Sequence, residues 1–281
     1  VTDGRENKSL KQRSPRVLRM ALMGALFALF FFGSPIIALV LFPLLRLTSR
    51  SLDVYRTRCT YLLHRGMRLI AATARFVGIV DYDDAELPAS LDRSKPYVMI
   101  CNHPTFIDML VVLARFRDLT CVTSGRWSKH WALGRLLRST NYLPGPGSGL
   151  PESEDMLATM VAHLGKGHPL LVFPEGQRSM PDQLRRFRRG AIEAAARANV
   201  PIVPLFLAID RPYLTKNVPL WRPPAVAPKY SFEWFDTIDP AAFDHDGKRI
   251  AAHVDALYEK RFDEQVARWR SINQETRALA A

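Results

Sequence analysis

The chain has little cysteine: Cys59, Cys101 and Cys121 are its only three in 281 residues, and none forms a Cys-x-x-Cys pair. That excludes a disulfide framework and a cysteine-based zinc site. The seven histidines show no metal-ligand grouping, and His163 and His168 flank the turn Gly165-Lys166-Gly167. No Gly-x-Ser-x-Gly elbow occurs, which argues against a serine hydrolase of that type. Internal repeats and low-complexity tracts are also missing. Acidic residues are scarce at the start: residues 1–70 hold three Asp/Glu against twelve Lys/Arg, so +9 of the net +12 lies in the first quarter.

There is one long apolar run. From Met20 to Leu45, twenty-six residues carry no charge and are rich in Leu, Phe, Ala and Val. About twenty such residues cross a hydrocarbon core. The run is too long for a signal-peptide core, and no small-residue cleavage site follows it. Gly33-Ser34-Pro35 interrupts its centre, and proline kinks or breaks a helix. Six basic residues precede the run and six follow within residues 46–68, so the flanks give no positive-inside asymmetry. The expectation is a broken, re-entrant or deeply embedded helix pair, in preference to a single span. Both basic flanks would then lie on the cytoplasmic face, on anionic headgroups.

With 48% apolar and 23% charged residues, the rest of the chain can bury a full core. Residues 1–50 read as a basic, membrane-embedded helical segment and 51–281 as one α/β domain ending in a helix. Leu52 to Val77 is helical and amphipathic. Short strands are predicted near 76–82, 96–101, 119–123, 169–173 and 201–208, with helices over 104–116, 128–138, 152–166 and 186–198 between them. This alternation argues α/β. Asn141 to Pro151, rich in Gly and Pro, reads as a loop. Residues 211–228 are irregular around Trp221, which either touches a membrane interface or packs on the domain edge. Lys229 to Phe235 alternates as a half-buried strand, and the tail from Lys248 is helical.

Two segments carry chemistry. In Cys101-Asn102-His103-Pro104-Thr105-Phe106-Ile107-Asp108, after the apolar Tyr97-Val98-Met99-Ile100, an imidazole and a carboxylate are five residues apart. Imidazole can take a hydroxyl proton, and a carboxylate on its far nitrogen fixes the tautomer. Proline suits a first helical position, which predicts His103 near the cap and Asp108 about a turn inside. A capping or core histidine is the plain alternative. Some seventy residues later, Phe173-Pro174-Glu175-Gly176-Gln177-Arg178-Ser179 follows a second apolar run with a carboxylate, a glycine and a guanidinium. Arg suits bidentate phosphate recognition, and Gly permits close backbone approach. Strand exits of one sheet commonly share a crevice. Cys101 reads as a small apolar strand residue rather than a thiol nucleophile.

These two segments resemble the first and third motifs of the lysophospholipid (glycerolipid) acyltransferases of the 1-acylglycerol-3-phosphate type. Phe187-Arg188-Arg189-Gly190-Ala191 resembles the basic-Gly segment after the third motif, and Val200-Pro201-Ile202-Val203-Pro204-Leu205 the fourth. The resemblance covers about residues 60–240. The second motif departs: Ser124-Gly125-Arg126-Trp127-Ser128-Lys129-His130-Trp131-Ala132-Leu133-Gly134 keeps a glycine but lacks the usual proline and acidic residue, and Gln177 stands where Thr is usual.

The resemblance implies an α/β acyltransferase domain with a mixed central sheet flanked by helices. It implies His103 as base and Asp108 as its orienter, with the acceptor's phosphate held by Glu175, Gly176 and Arg178. Arg126 or Lys129 would supply the missing second-motif cation near the thioester or the phosphate. Acyl-CoA or acyl-carrier protein would be the co-substrate, with no metal and no other cofactor. The expected acceptor is 1-acylglycerol-3-phosphate, and a lyso-aminolipid or a specialised lipid or polyene product stays open beside it. A thioesterase or phospholipase-type hydrolase is a further alternative. Membrane lipids are the expected partners and nucleic acid is not, since the charge lies beside an apolar run and no aromatic-basic recognition module is present. The catalytic domain is expected on the cytoplasmic face of the cell membrane.

Overall fold

The computed structural model describes residues 16–145, 153–180, 182–211, 213–215 and 226–278. Most of the Gly/Pro-rich loop and of the irregular stretch around Trp221 lies outside these residues.

Seven strands form one mixed sheet in the order β1-β7-β6-β2-β5-β3-β4. They are β1 (Asp81–Tyr82), β2 (Val98–Cys101), β3 (Thr120–Thr123), β4 (Leu143–Pro144), β5 (Leu170–Val172), β6 (Ile202–Ile209) and β7 (Lys229–Trp234). All neighbouring pairs are parallel except β6 and β7. The central strands alternate between two cores. Met99 and Cys101 of β2, with Val203, Leu205 and Leu207 of β6, face one side, while Val98, Ile100, Ile202 and Phe206 face the other. Burial on both faces is why these strands read as continuous apolar runs.

The first core is covered by α3 (Leu52–Phe76) and α4 (Asp108–Arg115). Ser51 caps α3 by accepting from the Val54 amide at 3.2 Å. The second core is covered by α7 (Ser153–Gly165), α8 (Gly190–Ala198) and α9 (Gly247–Ala278). Ile250, Val254, Phe262, Val266 and Trp269 of α9 are buried at helical spacing, as the tail pattern predicted. Two short helices, α5 (Gly125–Lys129) and α6 (Trp131–Arg138), cross tightly after β3. A Cβ on Gly134 would stand 2.2 Å from the Ser128 carbonyl oxygen, so that crossing requires glycine.

The N-terminal segment is α1 (Arg16–Ile36), a π-helical turn Ile37–Leu41 and α2 (Phe42–Leu47). Val17–Leu47 is one apolar helical run of 31 residues, long enough by length and composition to cross a membrane. The predicted break at Gly33-Ser34-Pro35 does not occur. Pro35 lies inside the helix, the Ser34 hydroxyl donates to the Phe30 carbonyl, and a π-helical turn follows. One face of this run packs on the domain through Met23, Phe27, Ala38 and Phe42, whereas Leu29, Phe32, Ile36, Leu44 and Leu47 are exposed.

Several boundaries differ from expectation: the helix predicted over 128–138 is broken at His130, and the one predicted over 186–198 begins at Gly190. The strand predicted over 76–82 is two residues long, because α3 runs to Phe76 and turns at Gly78, φ +73°. A short strand, β4, lies in the stretch read as loop. Helix α4 begins at Asp108 rather than Pro104, because the intervening amides serve other acceptors: Thr105 N donates to Asp108 and Phe106 N to Leu214 O.

Candidate active site

Strands β2 and β5 lie side by side, and the two chemical segments leave them at the same edge. At the exit of β2 the Asn102 side chain continues the ladder by itself. Its Oδ1 accepts from the Leu207 amide at 2.7 Å and its Nδ2 donates to the Leu207 carbonyl at 3.1 Å. The main chain is thereby free to turn away at His103.

His103 Nδ1 meets Asp108 Oδ2 at 2.8 Å. Asp108 is fully buried, so its charge needs donors. Thr105 supplies two, its backbone amide to Oδ2 at 2.7 Å and its hydroxyl to Oδ1. An ionised Asp108 can only accept, so Nδ1 carries the proton and Nε2 is the basic nitrogen. The ring is partly exposed and packs on Phe173, centroids 4.6 Å apart.

Glu175 is buried and faces inward. Its Oε1 accepts the His103 amide at 2.7 Å, and its Oε2 accepts the Ser179 hydroxyl at 2.6 Å and the Arg185 amide at 3.4 Å. Ser179 N closes the loop on the His103 carbonyl at 2.8 Å. Burial raises the Glu175 carboxyl above its ordinary range, and the Ser179, His103 and Arg185 donors offset part of that rise. The expectation that Glu175 holds phosphate is therefore corrected. Both oxygens are engaged, a carboxylate repels phosphate, and its work is to pin the His103 loop.

Gly176 has φ +69°, and a Cβ there would press on the Arg188 guanidinium at 3.0 Å. Arg178 donates to the Leu214 carbonyl at 3.1 Å and lies over the Phe106 ring at 5.7 Å. A single cavity of about 890 Å³ brings His103 together with Gly176, Arg126, Arg178 and Arg188. Lys129 does not line it: this residue is exposed at the end of α5, one turn beyond Arg126. Arg188 is not among the expected site residues, although its segment resembles the one after the third motif. Most of the remaining wall is apolar, with Met23, Phe27 and Phe30 of α1 closing one side and Met67, Ile70 and Ala71 of α3 another, and Ser34, Thr123, Ser124 and Gln177 add polar groups to it.

Cys101 is buried in the first core, and burial pushes its thiol well above the usual range, against a nucleophilic role. His163 is also structural. Its Nε2 lies 2.6 Å from the Thr120 hydroxyl, which itself donates to the Pro169 carbonyl at 2.8 Å, so the imidazole is the donor of that pair.

A family profile described as Acyltransferase matches residues 83–208, the span that holds both strand exits and Arg188. That match takes in a little under half of the chain. The chain is 26% identical over 194 residues to a 1-acyl-sn-glycerol-3-phosphate acyltransferase of Chlamydomonas reinhardtii, covering 64% of this chain and 54% of that protein. The 1-acyl-sn-glycerol-3-phosphate acyltransferase of Salmonella typhimurium is 32% identical over 121 residues, 42% of this chain and 49% of its own length. The chain thus spans about half the length of these curated relatives. The crystal structure of the 1-acyl-sn-glycerophosphate (LPA) acyltransferase PlsC from Thermotoga maritima superimposes with a TM-score of 0.63 at 17% identity, covering 91% of this chain and 99% of that one. That likeness extends the common fold beyond the matched span.

Proposed function

We propose that the chain moves a fatty acyl group from a thioester, acyl-CoA or acyl-carrier protein, to the free hydroxyl of 1-acylglycerol-3-phosphate at a membrane surface. The observation that carries this reading is the composition of one cavity: an imidazole oriented by a carboxylate stands where an apolar wall meets three guanidinium groups. An acyl chain suits the wall, a phosphate suits the arginines, and the hydroxyl between them would reach the base.

His103 Nε2 takes the proton of the acceptor hydroxyl as its oxygen attacks the thioester carbon. Asp108 steadies the imidazolium that forms. The tetrahedral oxyanion is stabilised by Arg126 or by backbone amides at the strand exits. Collapse breaks the C–S bond, the thiolate leaves, and the imidazolium returns its proton to sulfur. A C–O bond has replaced a C–S bond, and no covalent enzyme intermediate is needed.

The exposed apolar face of α1 and α2 supports a membrane-embedded position, with Arg46, Arg50, Arg56 and Arg58 at its border meeting anionic headgroups; we place the domain on the cytoplasmic side. The helix stays attached to the domain because its other face walls the cavity. A helix so placed suits lying in one leaflet better than standing across both.

The test is an acyl-transfer assay of the purified chain with each donor over a panel of lysolipids and lyso-aminolipids, with products and free fatty acid identified by mass. Acylated 1-acylglycerol-3-phosphate should dominate, and His103→Ala should lose roughly a thousandfold or more in rate while keeping its melting temperature and vesicle binding. Near-wild-type transfer by that variant would reject His103 as the base. Release of free fatty acid alone would point to the hydrolase instead.

A further inference from the structure

Behind Asp108 lies a residue far from both motifs. Tyr230 of β7 is fully buried, and its phenol donates to the Thr105 hydroxyl at 2.9 Å. The Thr105 hydroxyl in turn donates to Asp108 Oδ1, and Asp108 Oδ2 holds His103 Nδ1. Four polar groups therefore form one chain from the antiparallel strand β7 to the imidazole. Tyr230 sits outside residues 83–208 and 125 positions from Thr105.

The direction of each bond follows from counting protons. A threonine hydroxyl has one proton and two lone pairs. The lone pairs of Thr105 receive the Tyr230 phenol and, at 3.4 Å, the Ile107 amide. Its only proton is left for Asp108. A buried tyrosine needs some partner for its hydroxyl, but here the partner chosen decides where another group's proton goes.

We propose that Tyr230 is a positioning residue for the His103–Asp108 pair, locking the Thr105 hydroxyl as a donor to Asp108 and so setting how strongly the carboxylate holds the imidazolium. The inference rests on the reading of His103 as the base. With Thr105 locked, part of the Asp108 charge is spent on a neutral donor. With the phenol removed, the hydroxyl can turn away, one carboxylate oxygen loses a partner, and Asp108 draws harder on protonated His103. The titratable and charged groups around the pair are Cys101 of β2, Arg126 of α5, Glu175, Arg178 and Arg188 beyond β5, Asp210 at the end of β6 and Tyr213 beyond it. None of these changes in the variants below.

The experiment compares Tyr230→Phe, Thr105→Val, the double variant and Thr105→Ser in the full chain on anionic phospholipid vesicles. Two quantities are followed: the titration of the His103 imidazole by nitrogen NMR, assigned with His103→Ala, and the acid limb of kcat/KM. Tyr230→Phe should move both midpoints upward by several tenths of a pH unit and lower kcat roughly five- to tenfold. Thr105→Val should shift them the same way, the double variant should match Thr105→Val alone, and Thr105→Ser should stay near wild type. Unmoved midpoints in Tyr230→Phe, or effects that simply add in the double variant, would overturn the proposal. If Tyr230→Phe fails to fold, Thr105→Val decides: an activity loss with an unmoved imidazole titration overturns it equally. An active His103→Ala would remove the base reading itself, whereas an inactive His103→Ala beside an unaltered Tyr230→Phe removes only the relay.

Discussion

The amide of His103 donates to Glu175 Oε1 at 2.7 Å, and the register of the sheet explains why these two residues meet. Strands β2 and β5 run parallel with an offset of 72 positions, Val98 beside Leu170 and Ile100 beside Val172. Carried three residues past Ile100 and Val172, the same offset sets position 103 beside position 175. His103 and the carboxylate that pins its loop are thus neighbours on an extrapolated ladder, although each segment leaves its strand as a turn.

This relationship separates Glu175 from the arginines kinetically. Glu175→Gln puts an NH2 against the His103 amide or the Arg185 amide, a mismatch costing about 1–3 kcal/mol. Melting temperature and kcat should both fall, with little change in KM for the lysolipid. Steady-state rates and calorimetry check this; a KM defect with an intact kcat would restore Glu175 to phosphate binding.

Arg178→Ala and Arg188→Ala should behave in the opposite way. Each removes a guanidinium from the cavity wall, and KM for a phosphate-bearing acceptor should rise roughly tenfold or more. Lys129→Ala, outside the cavity lining, should stay within about twofold of wild type. Initial rates against acceptor concentration distinguish the three.

Gly176→Ala combines two penalties. The residue has φ +69°, which costs an L side chain roughly 1–2 kcal/mol, and the new methyl would push on the Arg188 guanidinium. The expected result is a lowered melting temperature together with the KM defect of Arg188→Ala. A lowered melting temperature with wild-type KM would show that Arg188 does not need its present place.

Acid stability should carry the signature of His163. Burial, with His168 and Lys166 adding to it, pushes this imidazole down to about 4. Its folded value lies below its unfolded one, so the unfolded chain binds the extra proton. Stability is full above about pH 6.5 and falls as pH drops from there to about 4, by at most roughly 3 kcal/mol from this group. His64, also lowered by burial, adds to the fall in the same direction. His163→Gln keeps a donor for Thr120 without the titration, so denaturant unfolding between pH 7 and 4 should show a shallower decline than in wild type.

The outer face of the N-terminal helix offers a membrane test. Phe32 is 75% exposed and Ile36 61%, and neither lines the cavity. Phe32→Glu with Ile36→Glu should weaken vesicle binding more than tenfold, since each apolar side chain withdrawn from lipid removes roughly 2 kcal/mol. Thermal unfolding in detergent should be unchanged. Sedimentation with liposomes measures the first and calorimetry the second.

Much of this protein is determined along the chain itself. The central strands, burying both faces, leave apolar runs that stand out at 98–101, 170–172 and 202–209, and the catalytic types beside their ends are local in sequence. The 26-residue uncharged run marks the N-terminal helix for the same reason, since burial against lipid or core selects one composition over a continuous stretch. Other properties depend on which strands become neighbours. The start of α4 moved from Pro104 to Asp108 because loop amides found acceptors on Asp108 and on the distant Leu214 carbonyl. Pro35 did not break its helix, which runs on through a π-helical turn and packs one face on the domain. Glu175, whose residue type suggests only a charge near phosphate, became a loop clamp through a register that joins positions 103 and 175. Tyr230, unremarkable on an alternating strand, reached Thr105 only because β7 folds back antiparallel on β6. Short-range pattern reports burial and local chemistry, whereas the destination of each hydrogen bond is decided by which segments the sheet brings within 3 Å of one another.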